Sequence, residues 1–196
     1  MRLLILSLTI LILCFSCGND KPALPELDPE TRDKITALKT DGEKNKYLFN
    51  LWQEDQNLRR GQGQNILAKF GKDSEEYKRY VKEIVQLDHL VFAKMKFYLE
   101  THNYPKNVGR YDELALNAFP TIIGHHHHYK AQAELLPYLY EAYKTNHCSL
   151  DDVVWVMGEM HESKHGGRRY VLKSNVFTTE QEFKELSSAL GLDLEI

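Results

Sequence analysis

Residues 73–105 of this chain read DSEEYKRYVKEIVQLDHLVFAKMKFYLETHNYP. Their large apolar side chains recur at intervals of three and four residues, which is the period of one helical face. These side chains belong to Tyr77, Tyr80, Ile84, Leu87, Val91, Met95 and Tyr98. Asp73 or Ser74 is suited to cap the start of a helix. Asn103-Tyr104-Pro105 is suited to stop it, because a residue before proline disfavours helical backbone. The stretch therefore predicts one long amphipathic helix.

Helical patterns also flank this helix on both sides, and no convincing β-sheet pattern is present. Before it, a helical stretch is expected from Pro29 to a break near Asp41-Gly42, and a second one continues through Trp52 until Gly61 and Gly63 weaken the pattern. After it, helices are expected from about Tyr111 to Phe119 and from about Lys130 to Lys144, with a kink or restart at Pro137. Two more are expected, from the cap Ser149 to Gly166-Gly167 and from a Thr179-x-x-Glu182 capping box to Gly191. Residues 169–173 are expected to form a short extended piece. The predicted fold class is all-α, with one multi-helix domain over residues 30–196.

Length and charge agree with one globular domain. The chain has 196 residues, of which 42% are hydrophobic, with 25 Lys and Arg against 28 Asp and Glu. This length supports one well-formed core. The near balance of charge supplies no basic surface that could follow a phosphate backbone, so nucleic-acid binding is not expected.

The N-terminus carries an export pattern. Met1 and Arg2 precede an apolar run over residues 3–13, which is shorter than a membrane span and typical of a signal peptide. Ser16-Cys17 at its end resembles the lipobox of bacterial lipoproteins. This predicts a signal peptide over residues 1–16, acylation of Cys17 and a Pro-rich tether over residues 17–29. The protein would then be held at the cell envelope, on its periplasmic or cell-surface face, by an N-terminal lipid in the membrane. An ordinary cleaved signal and an uncleaved anchor are the alternatives.

The sharpest chemical motif is His161-Glu162-x-x-His165. Two imidazoles one helical turn apart can share a Zn²⁺ ion, and the intervening Glu can act as general base on a zinc-bound water. Ser163 and Lys164 depart from the usual zinc-hydrolase pattern, so catalytic zinc is the alternative hypothesis here. The third ligand would come from Glu180, Glu182 or Glu185. The competing interpretation is a helix end whose histidines bind carbonyl groups.

Four consecutive histidines occupy residues 125–128. Four adjacent imidazoles cannot all reach one ion, so at most one or two of them could bind a metal or hold a polar network. A metal-binding protein without catalysis is therefore a third hypothesis. The alternative is a His-rich start of a helix without any bound ion.

The carboxylates suggest a buried polar cluster. Asp55, Gln56 and Arg59 form an Asp-Gln-x-x-Arg motif, and Asp88 flanks the apolar face of the long helix. An unpaired buried carboxylate is costly, so Asp88 should have a partner. Asp55, Arg59, Asp88 and a histidine are expected to form one cluster, tested by contact between Arg59 and Asp88. Its role as structural network or as ligand site stays open at this point.

These residues, in this order, resemble an uncharacterised family of bacterial secreted proteins that contain a domain of unknown function. The resemblance covers roughly residues 30–190 and also includes Asn103-Tyr104-Pro105, Val108-Gly109 and Asn117-Ala118. It implies that the conserved histidine of the family falls on His125 or His126. It implies an exported helical domain and transfers no activity.

The sequence thus predicts a helical lipoprotein that binds a small ligand or a protein partner, with a zinc-dependent hydrolase as the alternative. Whether the protein is an enzyme is left open. No cofactor is expected outside that alternative.

Overall fold

The computed structural model of the protein describes residues 24–168, 170 and 178–196. The long helix predicted around residues 73–105 is present in it as α4, Glu75–His102. The Ser74 hydroxyl accepts a hydrogen bond from the amide of Tyr77 at 3.1 Å, so the predicted cap is confirmed. The helix ends where Asn103 takes a left-handed φ of 61°. The predicted signal peptide, the acylated Cys17 and most of the extended piece at residues 169–173 lie outside the described residues.

The described residues form eight α-helices and one 3-10 turn, without any strand, and the all-α prediction is confirmed. The elements are α1 (Pro29–Thr36), α2 (Asp41–Asn57), α3 (Gln62–Phe70), α4 (Glu75–His102), the 3-10 turn (Val108–Arg110), α5 (Glu113–His125), α6 (Tyr129–Lys144), α7 (Leu150–Lys164) and α8 (Thr179–Leu190). No helix in this part of the chain is both long and apolar enough to cross a bilayer.

One core joins these helices except α3, none of whose residues is buried. It is formed around the second half of α4, where Val91, Phe92, Met95 and Leu99 are fully buried. Helix α5 packs against α2 on one side and against α7 on the other, and α7 also contacts α6 and α8. The resulting bundle brings α2, α5 and α7 together along one side of the molecule.

Helix α5 is longer than the sequence predicts. It was expected to end at Phe119, before Pro120, but it continues through Pro120 to His125. A proline inside a helix costs a backbone hydrogen bond. The packing of the second half compensates, because Phe119, Ile122 and Ile123 are all essentially buried. As a consequence Asn117, Thr121 and His125 follow one another at intervals of four residues along one face of α5.

Other helix boundaries differ from the prediction by small amounts. The break predicted near Asp41-Gly42 lies just before it, over residues 37–40, and α2 begins at Asp41 because Thr40 and Glu43 form a capping box. Helix α8 is capped by Thr178 rather than Thr179. Helix α6 runs through Pro137 without restarting. Helix α3 follows Gly61, whose φ of 76° turns the chain back toward α4, and was not predicted as a separate element.

Candidate functional site

A buried carboxylate stands at the centre of the candidate site. Asp55 on α2 has no exposed surface, and its Oδ2 lies 3.0 Å from Nδ1 of His125 at the end of α5. The side-chain amide of Gln56 donates to the same oxygen at 2.7 Å. Because a carboxylate only accepts hydrogen bonds, this contact places the imidazole proton on Nδ1. The other ring nitrogen of His125, Nε2, takes no part in this contact, and the side chain is partly exposed.

Arg59 joins Asp55 to Asp88. Its Nε lies 3.6 Å from Oδ2 of Asp55, and its Nη2 donates to Oδ1 of Asp88 on α4. The contact between Arg59 and Asp88 that the sequence predicted is therefore present. Burial raises the pKa of Asp88, and the neighbouring Arg59 guanidinium opposes that rise. The guanidinium supplies the partner that two buried carboxylates require.

His126 does not join this cluster, although it was the predicted alternative to His125. Its ring stacks on Phe92 with centroids 4.0 Å apart and meets His89 edge-on at 5.0 Å. The chain leaves the helix at His126, whose φ and ψ are −81° and 85°, so the two neighbouring imidazoles point in different directions. Burial lowers the pKa of His126 to about 3, which keeps this ring neutral at ordinary pH.

The remaining two histidines of the quartet have other environments. His127 is exposed. His128 caps α6, since its Nδ1 accepts a hydrogen bond from the amide of Ala131 at 3.3 Å. The four histidines therefore have four different environments, namely a contact with the buried Asp55 carboxylate, the core, solvent and a helix cap.

His125 and Arg59 open onto a surface pocket of about 450 Å³ between α2, α5 and α7. Their side chains are 23% and 22% exposed, whereas the carboxylates behind them are almost completely covered. The pocket is lined by Trp52, Gln56, Arg59, Asn117, Pro120, Thr121, His125, Asp152 and Trp155. A larger cavity of about 660 Å³ lies between the segment after α4 and the second half of α6, around Tyr104 and Tyr138, and contains none of the predicted site residues.

Trp155 and Asp152 were not predicted as site residues. They lie one turn apart on α7, and Trp155 stays 40% exposed over α5. A Cβ atom added to Gly124 would lie 2.3 Å from the Trp155 ring, so the indole packs where only glycine leaves room. Its ring also meets that of His125 edge-on, with centroids 6.0 Å apart. Nothing in the local sequence of α7 indicates that these two side chains would line a pocket.

The His161-Glu162-x-x-His165 motif lies elsewhere, at the end of α7. The helix stops at Lys164, and the rings of His161 and His165 are 4.3 Å apart. The Nδ1 atom of His161 lies 3.2 Å from the carbonyl oxygen of Arg168. Within the residues that the structure describes, no three metal-binding side chains are grouped so that they could hold an ion. The zinc hypothesis stays a prediction.

Comparison of the chain with protein-family models, with curated proteins and with solved structures gives no match.

Proposed function

We propose that the protein is an envelope-tethered lipoprotein whose helical domain binds a small ligand in the pocket between α2, α5 and α7. The observation that supports this most directly is the contact of fully buried Asp55 with both His125 and Arg59. It fixes two partly exposed polar side chains at the pocket surface.

A network that only stabilised the fold would not need to place polar side chains at the surface of a pocket. Burying carboxylates is costly, and an apolar replacement of a buried ion pair is often neutral or stabilising. Here the buried carboxylates support two groups that solvent can reach, which is how binding residues are held in place by a layer of partners behind them. The Nε2 atom of His125, which takes no part in the contact with Asp55, can then form a hydrogen bond with a ligand.

The pocket lining indicates the ligand chemistry. Two indole rings offer flat apolar surface, and the side-chain amides of Gln56 and Asn117 offer donors and acceptors. Arg59 is a single cation between two buried carboxylates, and the Asp152 carboxylate also lines the pocket, so a negatively charged ligand is not favoured. We therefore expect a small polar ligand that has a flat apolar face and no negative charge.

Tryptophan fluorescence provides a selective test, because both tryptophans of the chain, Trp52 and Trp155, line this pocket. A library of small metabolites is screened by native mass spectrometry, and each bound compound is titrated by tryptophan emission. His125→Ala should weaken binding at least about tenfold, the loss expected for one hydrogen bond to a buried partner. His127→Ala, an exposed neighbour, is the matched control. Equal affinity in the two variants would contradict the proposal.

The proposed tether is tested separately. Mass spectrometry of the protein purified from bacterial membranes should find a diacylglycerol-modified Cys17 as the first residue. Cys17→Ser should abolish the modification and release the protein from membranes, whereas Cys14→Ser, inside the proposed signal peptide, should leave it intact. An unmodified Cys17 in the mature chain would rule out the lipoprotein.

The zinc-dependent hydrolase is the second candidate, and the proximity of the His161 and His165 rings is the observation in its favour. It predicts near-stoichiometric zinc in the untagged protein, lost in His161→Ala and retained in His127→Ala. The general base would be Glu162.

A further inference from the structure

The pocket at His125 is continuous with a second cavity along α5. This cavity, of about 300 Å³, lies between the first half of α5 and the start of α7. Asn117 on α5 and Asp152 on α7 line both the pocket and the second cavity. Because the two spaces share both of these walls, they form one depression between α5 and α7.

One face of α5 lines this depression over its whole length. Glu113, Asn117, Thr121 and His125 follow one another at intervals of four residues, and all four belong to the lining. Helix α5 has 13 residues, so its first and last residues are about 18 Å apart along the helix axis. A depression of this length suits an extended ligand better than a compact one.

The cavity of about 660 Å³ around Tyr104 and Tyr138 prolongs this depression. It shares Tyr104 and His147 with the second cavity. Three connected cavities therefore run from Trp52 on α2, along the whole of α5, to Tyr138 on α6. We call these three connected cavities the α5 groove.

Aromatic rings stand at both ends of the α5 groove. Trp52 and Trp155 line the first cavity, and Tyr104 and Tyr138 line the last. Each of these four side chains is at least partly exposed. An aromatic ring offers a flat apolar face of negative polarisation, against which the C–H bonds on the face of a sugar ring can pack.

Uncharged polar side chains lie along the groove between these rings. Gln56 and Thr121 line the first cavity, Asn117 and Asn146 line the second, and Asn103 lines the third. Amide and hydroxyl groups both donate and accept hydrogen bonds. This chemistry matches the hydroxyl groups at the edge of a sugar, each of which is a donor and an acceptor.

The charges of the groove do not favour an anionic polymer. The Arg59 guanidinium already lies against two buried carboxylates. In the rest of the lining, the carboxylates of Glu113, Glu141 and Asp152 stand against the ammonium group of Lys106. This balance argues against a nucleic acid or an acidic polysaccharide, both of which need a positively charged groove.

An extended peptide fits the groove less well than an uncharged glycan. Extended peptides are often held by backbone hydrogen bonds to the edge of a sheet. The part of the chain that the structure describes contains no strand, and the groove is formed by helices and the segments that join them. A proline-rich peptide, which docks between aromatic rings without such pairing, is the competing occupant that the test must include.

We propose that the α5 groove binds an uncharged oligosaccharide, with one sugar in the pocket at His125 and further sugars toward Tyr138. This inference rests on the proposed ligand pocket and names the class of its ligand. A sugar unit has the properties expected of that ligand, since it is small and polar, has an apolar face and carries no negative charge.

The first test is an array of immobilised uncharged oligosaccharides, from monosaccharides to hexasaccharides, with the common hexose and N-acetylhexosamine linkages. Sulfated oligosaccharides and proline-rich peptides are printed beside them. The protein should bind uncharged oligosaccharides and neither of the other two classes. In solution, titrated by tryptophan emission, the affinity should rise at least about tenfold from a disaccharide to a longer chain of the same linkage, because the longer chain reaches the rings of the third cavity.

The far end of the groove is tested by Tyr138→Leu, which removes the ring and keeps an apolar side chain against the core. This variant should bind the longer oligosaccharide about tenfold more weakly and the disaccharide with unchanged affinity. Tyr143→Leu is the matched control, because Tyr143 is another partly buried tyrosine of α6 and lines none of the three cavities. Circular dichroism should show equal helix content in both variants.

Three results would overturn the proposal. The first is an array on which no uncharged oligosaccharide retains the protein, and the second is equal affinity of the Tyr138 and Tyr143 variants for the longer oligosaccharide. The third is retention by proline-rich peptides alone, which would make a peptide the occupant. Failure of the proposed pocket is distinguishable, because it appears as His125→Ala leaving the affinity for every bound compound unchanged. A small ligand that depends on His125, without any oligosaccharide binding, would contradict only the oligosaccharide.

Discussion

The Nδ1 atom of His125 lies 3.0 Å from Oδ2 of Asp55, although the two residues are 70 positions apart in the chain. The contact joins the end of α5 to the last turn of α2, two helices that pack extensively against each other. It links the core to the pocket, because Asp55 is fully buried and His125 is partly exposed. Substitutions at this carboxylate should therefore affect stability and binding together.

Asp55→Ala should lower the free energy of unfolding by about 3–5 kcal/mol, because it leaves the Arg59 guanidinium partly buried without one of its two carboxylates. Urea denaturation at neutral pH measures the change. Asp193→Ala, at an exposed position, should remain within about 0.5 kcal/mol of the unaltered chain. Equal stability of the two variants would mean that the contact of Asp55 with Arg59 contributes nothing to the free energy of unfolding.

His126 should make the protein less stable in mild acid. Its pKa is lowered to about 3 in the folded protein, against about 6.5 in the unfolded chain, so the unfolded state binds more protons between these values. Titration of His126 therefore leaves the free energy of unfolding almost unchanged above pH 6.5 and decreases it as the pH falls toward 3. From pH 7 to pH 5 the loss is about 2 kcal/mol.

The variant His126→Phe tests this assignment, because phenylalanine fits beside Phe92 and does not titrate. Urea denaturation at pH 7 and pH 5 should show that this variant loses about 2 kcal/mol less than the unaltered chain. His127→Phe, at an exposed ring, should keep the full dependence on pH. An identical decrease in all three proteins would assign the acid sensitivity to other groups.

The cluster of Asp55, Arg59 and Asp88 could be predicted from the sequence, because its residues lie in two recognisable sequence patterns. Asp55 and Arg59 are one helical turn apart, and Asp88 lies beside a clear apolar face, where a carboxylate needs a partner. The pattern did not decide between His125 and His126. That choice depends on the backbone angles at the end of α5, which are set by the packing of His126 against Phe92.

The pocket itself could not be anticipated, because two of its walls depend on tertiary packing. The local rule for Pro120 predicts a helix end, yet burial of Ile122 and Ile123 carries α5 onward to His125. The position of Trp155 could not be predicted either, since nothing in the local sequence of α7 indicates that its ring would rest over Gly124.

Gly124→Ala should displace the Trp155 indole and destabilise the protein by about 1–3 kcal/mol, because the new methyl group would overlap the ring. In a Trp52→Phe background, emission then comes from Trp155 alone and should shift to longer wavelength. Gly158→Ala is the control on α7, where no atom lies within 4 Å of the added Cβ. It should stabilise the protein by about 0.5–1 kcal/mol.

Cys148 should react slowly with thiol reagents in the folded protein. Burial raises the pKa of its thiol to about 12, and the nearby Asp152 carboxylate adds to the rise. Little of the reactive thiolate is then present at pH 8. In a chain that carries Cys14→Ser and Cys17→Ser, where Cys148 is the only thiol, urea unfolding should speed modification at least about a hundredfold. Fast modification of the folded protein would show that the thiol is accessible and ionised.

A double-mutant cycle at Arg59 and Asp88 would separate the energy of their contact from the general cost of changing either residue. The Nη2 group of Arg59 donates to Asp88, while its Nε faces Asp55, so each single substitution leaves one charge without this partner. Arg59→Met and Asp88→Asn should each destabilise the protein, and the double variant should lose less than the sum. We expect a coupling energy of about 1–3 kcal/mol from urea denaturation. Strict additivity would mean that the two side chains, although in contact, do not stabilise each other, and that Asp55 alone holds Arg59 at the pocket.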